Sequence, residues 1–75
     1  MCKLSQLELR EVGIVHHIDI HHPIRHTLMH MGIIFGSQIL IWKKAPFGDP
    51  IEVKIGSFNL ALRKEEADLI TVEKM

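Results

Sequence analysis

The chain has 75 residues with zero formal net charge, since nine Lys and Arg balance nine Asp and Glu, and it contains a single cysteine. This length fits one domain, residues 1–75, which leaves few residues for an enclosed active site because small chains bury only ~60% of their unfolded surface. The neutral charge gives no overall attraction to nucleic acid or to anionic membranes, and one cysteine cannot form an intrachain disulfide.

The first half of the chain predicts a short turn, a strand and a helix. Residues 4–7 are expected to form the turn, with Ser5 as its N-cap. Residues 12–21 alternate as a half-buried strand does. One face of that strand would carry Ile14, His16, Ile18 and Ile20, and the other Val15, His17, Asp19 and His21.

The helix is predicted to begin at Pro23, because proline suits the first helical position. Apolar residues then recur at i, i+4 and i+7, namely Ile24, Leu28 and Met31, which gives a helix of about two turns. Gly32 fits the position after its end. Residues 39–42 are apolar on both faces, which predicts a buried strand.

The second half predicts a hairpin, a helical turn and a final strand. Residues 45–50 are dense in turn formers, residues 51–55 show the clearest alternation, and residues 58–62 alternate after a tight connection. Residues 64–67 would form the helical turn and residues 69–72 the last strand. Five short strands with one helix indicate a mainly β fold, curled into a small barrel that removes its edges.

Two segments of the second half resemble the FeoA family. Residues 45–52, Ala-Pro-Phe-Gly-Asp-Pro-Ile-Glu, are similar to the family pattern A-P-[LF]-G-D-P-[IV], and residues 56–63, Gly-Ser-Phe-Asn-Leu-Ala-Leu-Arg, resemble its G-x-x-x-[LIV]-A-L-R segment. The likeness extends over residues 3–73. The chain departs from the family at Leu9-Arg10, Thr27 and Phe35, where a Pro/Gly turn, a basic residue and a proline are common.

The resemblance implies an SH3-like barrel and a cytoplasmic, non-enzymatic accessory protein of bacterial ferrous-iron uptake. Its implied partner is the cytoplasmic region of FeoB, the membrane Fe(II) transporter, with no nucleic acid bound, no membrane insertion and no required cofactor. The sequence leaves a homo-oligomer open. A similar barrel occurs in some iron-dependent repressors, which offers a regulator as another interpretation.

Two apolar or turn-forming segments are candidates for partner binding. The first comprises the helix and its following turn, with Met29, Ile33, Ile34 and Phe35, because clustered apolar residues outside a core favour an interface. The second comprises Phe47 and Asp49 of the 45–50 loop. A structural alternative stands beside it, in which Asp49 caps a turn and Phe47 closes the end of the barrel.

All six histidines lie between positions 16 and 30. His26 and His30 have the i, i+4 spacing that can clasp a metal such as zinc, and His21 or His22 is a candidate third ligand, with His21 preferred. This alternative describes a transition-metal carrier or sensor, and imidazole does not select between Zn and Fe(II). The competing interpretations are solvated surface histidines and adventitious metal binding. No serine or cysteine is paired with a His–Asp set, so the sequence does not predict an enzyme.

Overall fold

The computed structural model describes residues 1–19 and 21–75, which form a six-stranded antiparallel sheet with two short helices. This confirms the mainly β fold predicted from the sequence. The elements in chain order are β1 (Cys2–Lys3), a 3₁₀ turn (Leu4–Gln6), β2 (Val12–Ile18), α1 (Arg25–His30), β3 (Gln38–Lys44), β4 (Ile51–Ile55), β5 (Phe58–Leu62), α2 (Lys64–Ala67) and β6 (Ile70–Lys74). Among the described residues no helix is long and apolar enough to cross a bilayer.

The strands follow the order β1-β6-β2-β3-β4-β5 within the sheet. Over residues 1–19 and 21–75 the sheet therefore ends at β1 and β5, and hydrogen bonds do not close it, so the predicted removal of edges is incomplete. The structure also has one strand more than the five predicted. The additional strand, β1, is only two residues long, too short to show an alternating pattern.

The β4–β5 hairpin follows the alternation of its sequence. Ile51, Val53 and Ile55 are buried, while the residues between them are partly exposed. Gly56 turns the chain with φ +58°, and Ile55 pairs directly with Phe58. The tight hairpin predicted here is confirmed. Its buried residues recur at every second position because successive side chains of a strand point to opposite faces of the sheet.

Strand β2 departs from the predicted alternation at a β-bulge. Its pairing with β6 shifts register between Val15 and His17, so that Val15 and Ile18 are both buried while His16 and His17 are both exposed. An extra residue in one strand reverses the facing of all residues beyond it. The predicted assignment of His16 to the face of Ile18 is therefore wrong. The predicted strand also extends beyond Ile18, and its position 20 lies outside the described residues.

The 3₁₀ turn at Leu4–Gln6 forms where a turn was predicted, but Ser5 is not its cap. Lys3 occupies the N-cap position, and its backbone N–H donates to the Gln6 Oε1 at 2.8 Å. The Ser5 hydroxyl instead donates to a carboxylate oxygen of Asp68. Ser5 thus ties the start of the chain to the segment between α2 and β6.

Every buried core residue that the structure describes is aliphatic. The set is drawn from all the long strands, from both helices, from residues 4–7 and from the turn after α1: Leu4, Leu7, Val15, Ile18, Leu28, Ile33, Ile39, Ile41, Ile51, Val53, Ile55, Leu62, Ala67, Ile70 and Val72. Burying such side chains contributes about 1.5–3 kcal/mol each. Within the described residues no polar or charged group is buried.

Trp42 lies on the outer face of β3, away from this core, and is half-buried next to two cations. The Arg10 guanidinium is 3.9 Å from the centroid of the indole, and the Lys54 Nζ is 3.7 Å from it. Cations attract the negative faces of aromatic rings. The ring is therefore covered by its own chain and does not offer the open aromatic face that SH3-type recognition of proline-rich peptides requires.

Gly13 marks the closest approach of β2 to its neighbours. A Cβ at this position would lie 2.8 Å from the Val72 Cγ2 and 2.9 Å from the Leu7 Cδ1. Both contacts are with fully buried side chains, which cannot swing into solvent to make room. A side chain at residue 13 therefore forces β2 away from β6.

We expect Gly13→Ala to lower the free energy of unfolding by about 1–3 kcal/mol, the typical cost of overpacking a core. Urea denaturation would measure this loss. The matched control is the double variant Gly13→Ala/Val72→Gly, which removes the Cγ2 and the Cβ of residue 72, 2.8 and 2.9 Å from the new methyl group. Its loss should be clearly smaller than the sum of the two single losses, and strict additivity would contradict the steric explanation.

An ion pair joins the end of β6 to the segment before β2. The Lys74 ammonium pairs with the Glu11 carboxylate, which also accepts the backbone N–H of Glu8 at 2.7 Å. The hydrogen bond from Lys74, followed by that from Glu8, holds the pKa of Glu11 below its ordinary value of 4.5. The same contact raises the pKa of Lys74 above 10.5.

These shifts fix the sign of a pH dependence. The lowered Glu11 pKa stabilises the fold above pH 4.5 and the stabilisation is lost as pH falls below it, whereas the Lys74 contribution is lost as pH rises above 10.5. We expect Glu11→Gln to be slightly less stable than the wild type at neutral pH, with the difference vanishing in acid. Denaturation over a pH series tests this, with Glu73→Gln as the control. Equal stability of Glu11→Gln and the wild type at neutral pH would contradict it.

Candidate functional site

The turn after α1 is held in one conformation by a helix-ending motif. Gly32 has φ +91°, and its N–H donates to the Met29 carbonyl at 3.0 Å, while the Ile33 N–H donates to the Leu28 carbonyl at 3.0 Å. This is the Schellman pattern, in which a glycine in the left-handed region ends the helix. The prediction of Gly32 at this position is confirmed.

The same motif buries Ile33. Its side chain is 0% exposed and packs in the core with Leu28, as the residue after the glycine commonly packs against the last helical turn. A partner cannot touch this side chain without unfolding the turn. The expectation that Ile33 belongs to the partner-binding surface is therefore wrong, because its side chain packs in the core and holds the turn against it.

Further hydrogen bonds tie the turn to the bulged strand. The Ser37 hydroxyl donates to the Gly32 carbonyl at 2.8 Å and accepts the Ile34 N–H at 3.1 Å. Gly36 N–H donates to the Val15 carbonyl, and Val15 N–H donates to the Ser37 carbonyl, both at 2.8 Å. Residues 32–37 are thus fixed at both ends, which determines where the two side chains at their tip are placed.

We call the three exposed apolar side chains of α1 and this turn the rim: Met29 on α1, and Ile34 and Phe35 in the turn. Their exposed fractions are 39%, 49% and 74%. The Phe35 ring meets the exposed His16 ring edge-on, with centroids 5.4 Å apart and planes at 67°. Apolar side chains grouped in this way favour contact with another molecule.

The rim borders a shallow groove of about 220 Å³ between β2 and α1. Besides the rim, the groove is lined by Val15, His16, His17, Ile18 and Arg25. Val15 and Ile18 lie beneath it as core residues, and its polar lining consists of a guanidinium and two imidazoles. No carboxylate is among these lining residues, although the whole chain has as many acidic as basic side chains.

The 45–50 loop contributes no residue to the lining of this groove. Within the loop, Asp49 makes a structural hydrogen bond and Phe47 is exposed. The Asp49 Oδ1 accepts the backbone N–H of Lys64 at 3.0 Å, so Asp49 ties the loop to the start of α2. Phe47 is 98% exposed and does not close the end of the barrel as one interpretation expected. Because the Phe47 side chain is almost fully accessible, it stays a predicted partner contact.

We expect Asp49→Ala to lower the free energy of unfolding by about 1 kcal/mol, because it leaves a helix-terminal N–H without its acceptor. Thermal or urea denaturation would show this loss. Phe47→Ala is the matched control in the same loop and should change stability by less than about 0.5 kcal/mol. An equal loss in both variants would mean that the loop, and not the hydrogen bond, carries the effect.

The histidines predicted as metal ligands, His21, His26 and His30, are all exposed. Nowhere over residues 1–19 and 21–75 do three His, Cys, Asp or Glu side chains come close enough to hold a metal ion. Local hydrogen bonds shape the turn before α1: the Asp19 carboxylate accepts the His21 N–H at 2.9 Å, and the His22 Nδ1 accepts the Ile24 N–H at 3.2 Å. The structure thus does not assemble the proposed three-histidine set.

Sequence reasoning missed the contribution of β2 and Arg25 to the groove. The bulge hides the contribution of β2 from the sequence. Regular alternation would place His16 and His17 on opposite faces of the strand, whereas both are exposed in the structure. The sequence feature that could have indicated the bulge is the spacing of Val15 and Ile18, since two apolar residues three apart cannot share one face of a regular strand. Arg25 gave no signal of its own, since a single basic residue in an amphipathic helix is ordinary.

The comparisons with known proteins agree with one another. The family model described as the FeoA domain matches residues 2–74. An Fe(2+) transport protein A/Fe(2+) transporter FeoB fusion protein of Porphyromonas gingivalis is 30% identical over 71 residues, which are 95% of this chain and 8% of that protein. This chain therefore spans only a small part of that curated relative.

Two solved structures extend the comparison to the fold. A FeoA-like protein from Clostridium acetobutylicum is 39% identical with a TM-score of 0.90, covering 96% of this chain and 84% of the other. FeoA of Stenotrophomonas maltophilia, solved in complex with zinc and described as an SH3 domain protein, is 28% identical with a TM-score of 0.86, covering 97% and 91%. The fold predicted as SH3-like is confirmed.

Proposed function

From the premise that this chain belongs to the FeoA family, we propose that it docks on the cytoplasmic region of the transporter FeoB and so supports Fe(II) uptake. Membership links the chain to ferrous-iron transport. The docking, the cytoplasmic location and the absence of catalysis by the chain itself are parts of the proposal. We propose further that docking needs no bound metal.

The observation that carries this proposal is the Porphyromonas gingivalis relative, in which a FeoA part and a FeoB transporter form one polypeptide. Covalent fusion keeps two parts at a high effective concentration, which is useful when the two parts bind one another. The same contact between separate chains has to be made by a surface of this protein.

The rim is the best surface for that contact. Its aromatic member is 74% exposed, yet the hydrogen bonds of residues 32–37 fix the backbone beneath it. A backbone that is already fixed loses little conformational entropy on binding. Aromatic residues of this kind often supply much of the binding energy of an interface.

The test is calorimetric titration of this protein into the purified cytoplasmic region of its own FeoB, with a chelator present. We expect saturable binding. Replacing Phe35 by Asp should weaken it by about 30-fold, equivalent to the ~2 kcal/mol of an interface hot spot. The fold should persist, as circular dichroism and thermal melting would verify.

Two controls decide which surface docks. Leu9→Asp introduces the same charge at another exposed apolar residue, 53% accessible, and should leave binding unchanged. Phe47→Asp tests the second predicted contact loop. If Phe47→Asp abolishes binding and Phe35→Asp does not, the 45–50 loop is the docking surface. If the wild type itself does not bind, the proposed function is wrong.

A further inference from the structure

We propose that the groove takes a short acidic segment of the partner, in which an apolar side chain packs against the rim and a neighbouring carboxylate pairs with Arg25. This inference rests on the proposed function, because it places the segment in the cytoplasmic region of FeoB. It adds the chemistry by which that segment is recognised.

Arg25 supplies the first argument. Its side chain lines the groove and is half-buried at the first residue of α1. Across the part of the chain that the structure describes, the recorded ion pair is Lys74–Glu11, and Arg25 makes none. A guanidinium is always charged and carries donors that match a carboxylate in a two-pronged contact. A partly desolvated Arg25 therefore favours an acidic ligand.

The two histidines reinforce the same preference. An imidazole carries at least one N–H donor in each of its protonation states, so His16 and His17 add donors to the groove. The nearest carboxylate in sequence, Asp19, accepts the backbone N–H of His21 and is not among the lining residues. Thus the polar lining consists of side chains that can donate to a carboxylate, without a competing anion.

The apolar part of the groove sets the second requirement. The rim supplies this apolar surface, because Val15 and Ile18 beneath it are only 1% and 8% exposed and pack in the core. A ligand with charged groups alone would make no apolar contacts with this surface. A segment with one large apolar side chain next to an acidic residue satisfies both parts, because it removes apolar area from water while its charge meets Arg25.

The decisive experiment compares charge variants of this protein against the cytoplasmic region of its own FeoB. We expect Arg25→Glu to weaken binding by about tenfold or more, and Arg25→Gln by less. Binding by the wild type should also weaken with added salt, which screens the pair. Lys3→Glu is the matched control, because it makes the same change in net charge at an exposed residue of β1 and should leave binding unchanged.

Charge reversal in the partner completes the test. Acidic residues of the FeoB region are replaced by Lys one at a time, and one replacement should restore binding to Arg25→Glu while weakening binding to the wild type. If the wild type binds FeoB but both Arg25 variants bind equally well, this inference is wrong and the proposed function stands. If the wild type does not bind, both are wrong.

A vesicle control addresses the other anionic surface that could meet Arg25. Wild type and Arg25→Glu are sedimented with vesicles containing phosphatidylserine. We expect no binding by either protein. Arg25-dependent sedimentation, together with FeoB binding that ignores Arg25, would assign the groove to lipid headgroups and overturn the proposal.

Discussion

The bulge in β2 is the constraint on which the groove depends. By adding one residue between Val15 and His17, it turns two consecutive histidines outward and returns Ile18 to the core. Val15, which comes directly before the added residue, exchanges hydrogen bonds with the turn after α1. The bulge therefore aligns the imidazoles of the groove with the turn that bears Ile34 and Phe35. A regular strand would bring one histidine inward and separate these parts, which agrees with the frequent use of bulges to redirect side chains near functional sites.

An aliphatic core has a second consequence for function. Because the described core is filled by Leu, Ile, Val and Ala, the aromatic side chains seen in the structure are available for other roles. Trp42 is covered by Arg10 and Lys54, and it contributes to the outer face of the sheet. Phe35 and Phe47 remain accessible. Of these two residues, Phe35 lines the groove between β2 and α1, which favours the rim over the 45–50 loop as the proposed docking surface.

The sequence predicted those elements whose patterns are local. The 51–62 hairpin and the glycine at the end of α1 were predicted correctly, since alternation and the left-handed turn are written in adjacent residues. Strand β1 was missed because two residues are too few to show an alternating pattern of apolar and polar side chains. The facing of His16 was wrong because the bulge arises from pairing with β6, a partner distant in sequence. Ile33 was misplaced for a related reason: whether an apolar residue is core or surface depends on the turn geometry that Gly32 sets, and a run of apolar letters does not reveal it. The partner contacts and the histidine ligands remain predictions.

The pairing of β1 with β6 places the two ends of the described chain side by side, with Cys2 opposite Val72 and Lys3 opposite Thr71. A polypeptide that enters this domain at β1 therefore leaves it beside the point of entry. Such an arrangement lets a domain be inserted into a host chain, or circularly permuted, with little disturbance to its core. The topology thus lets this small sheet be joined to another polypeptide at either end, with both attachment points at the β1–β6 pair.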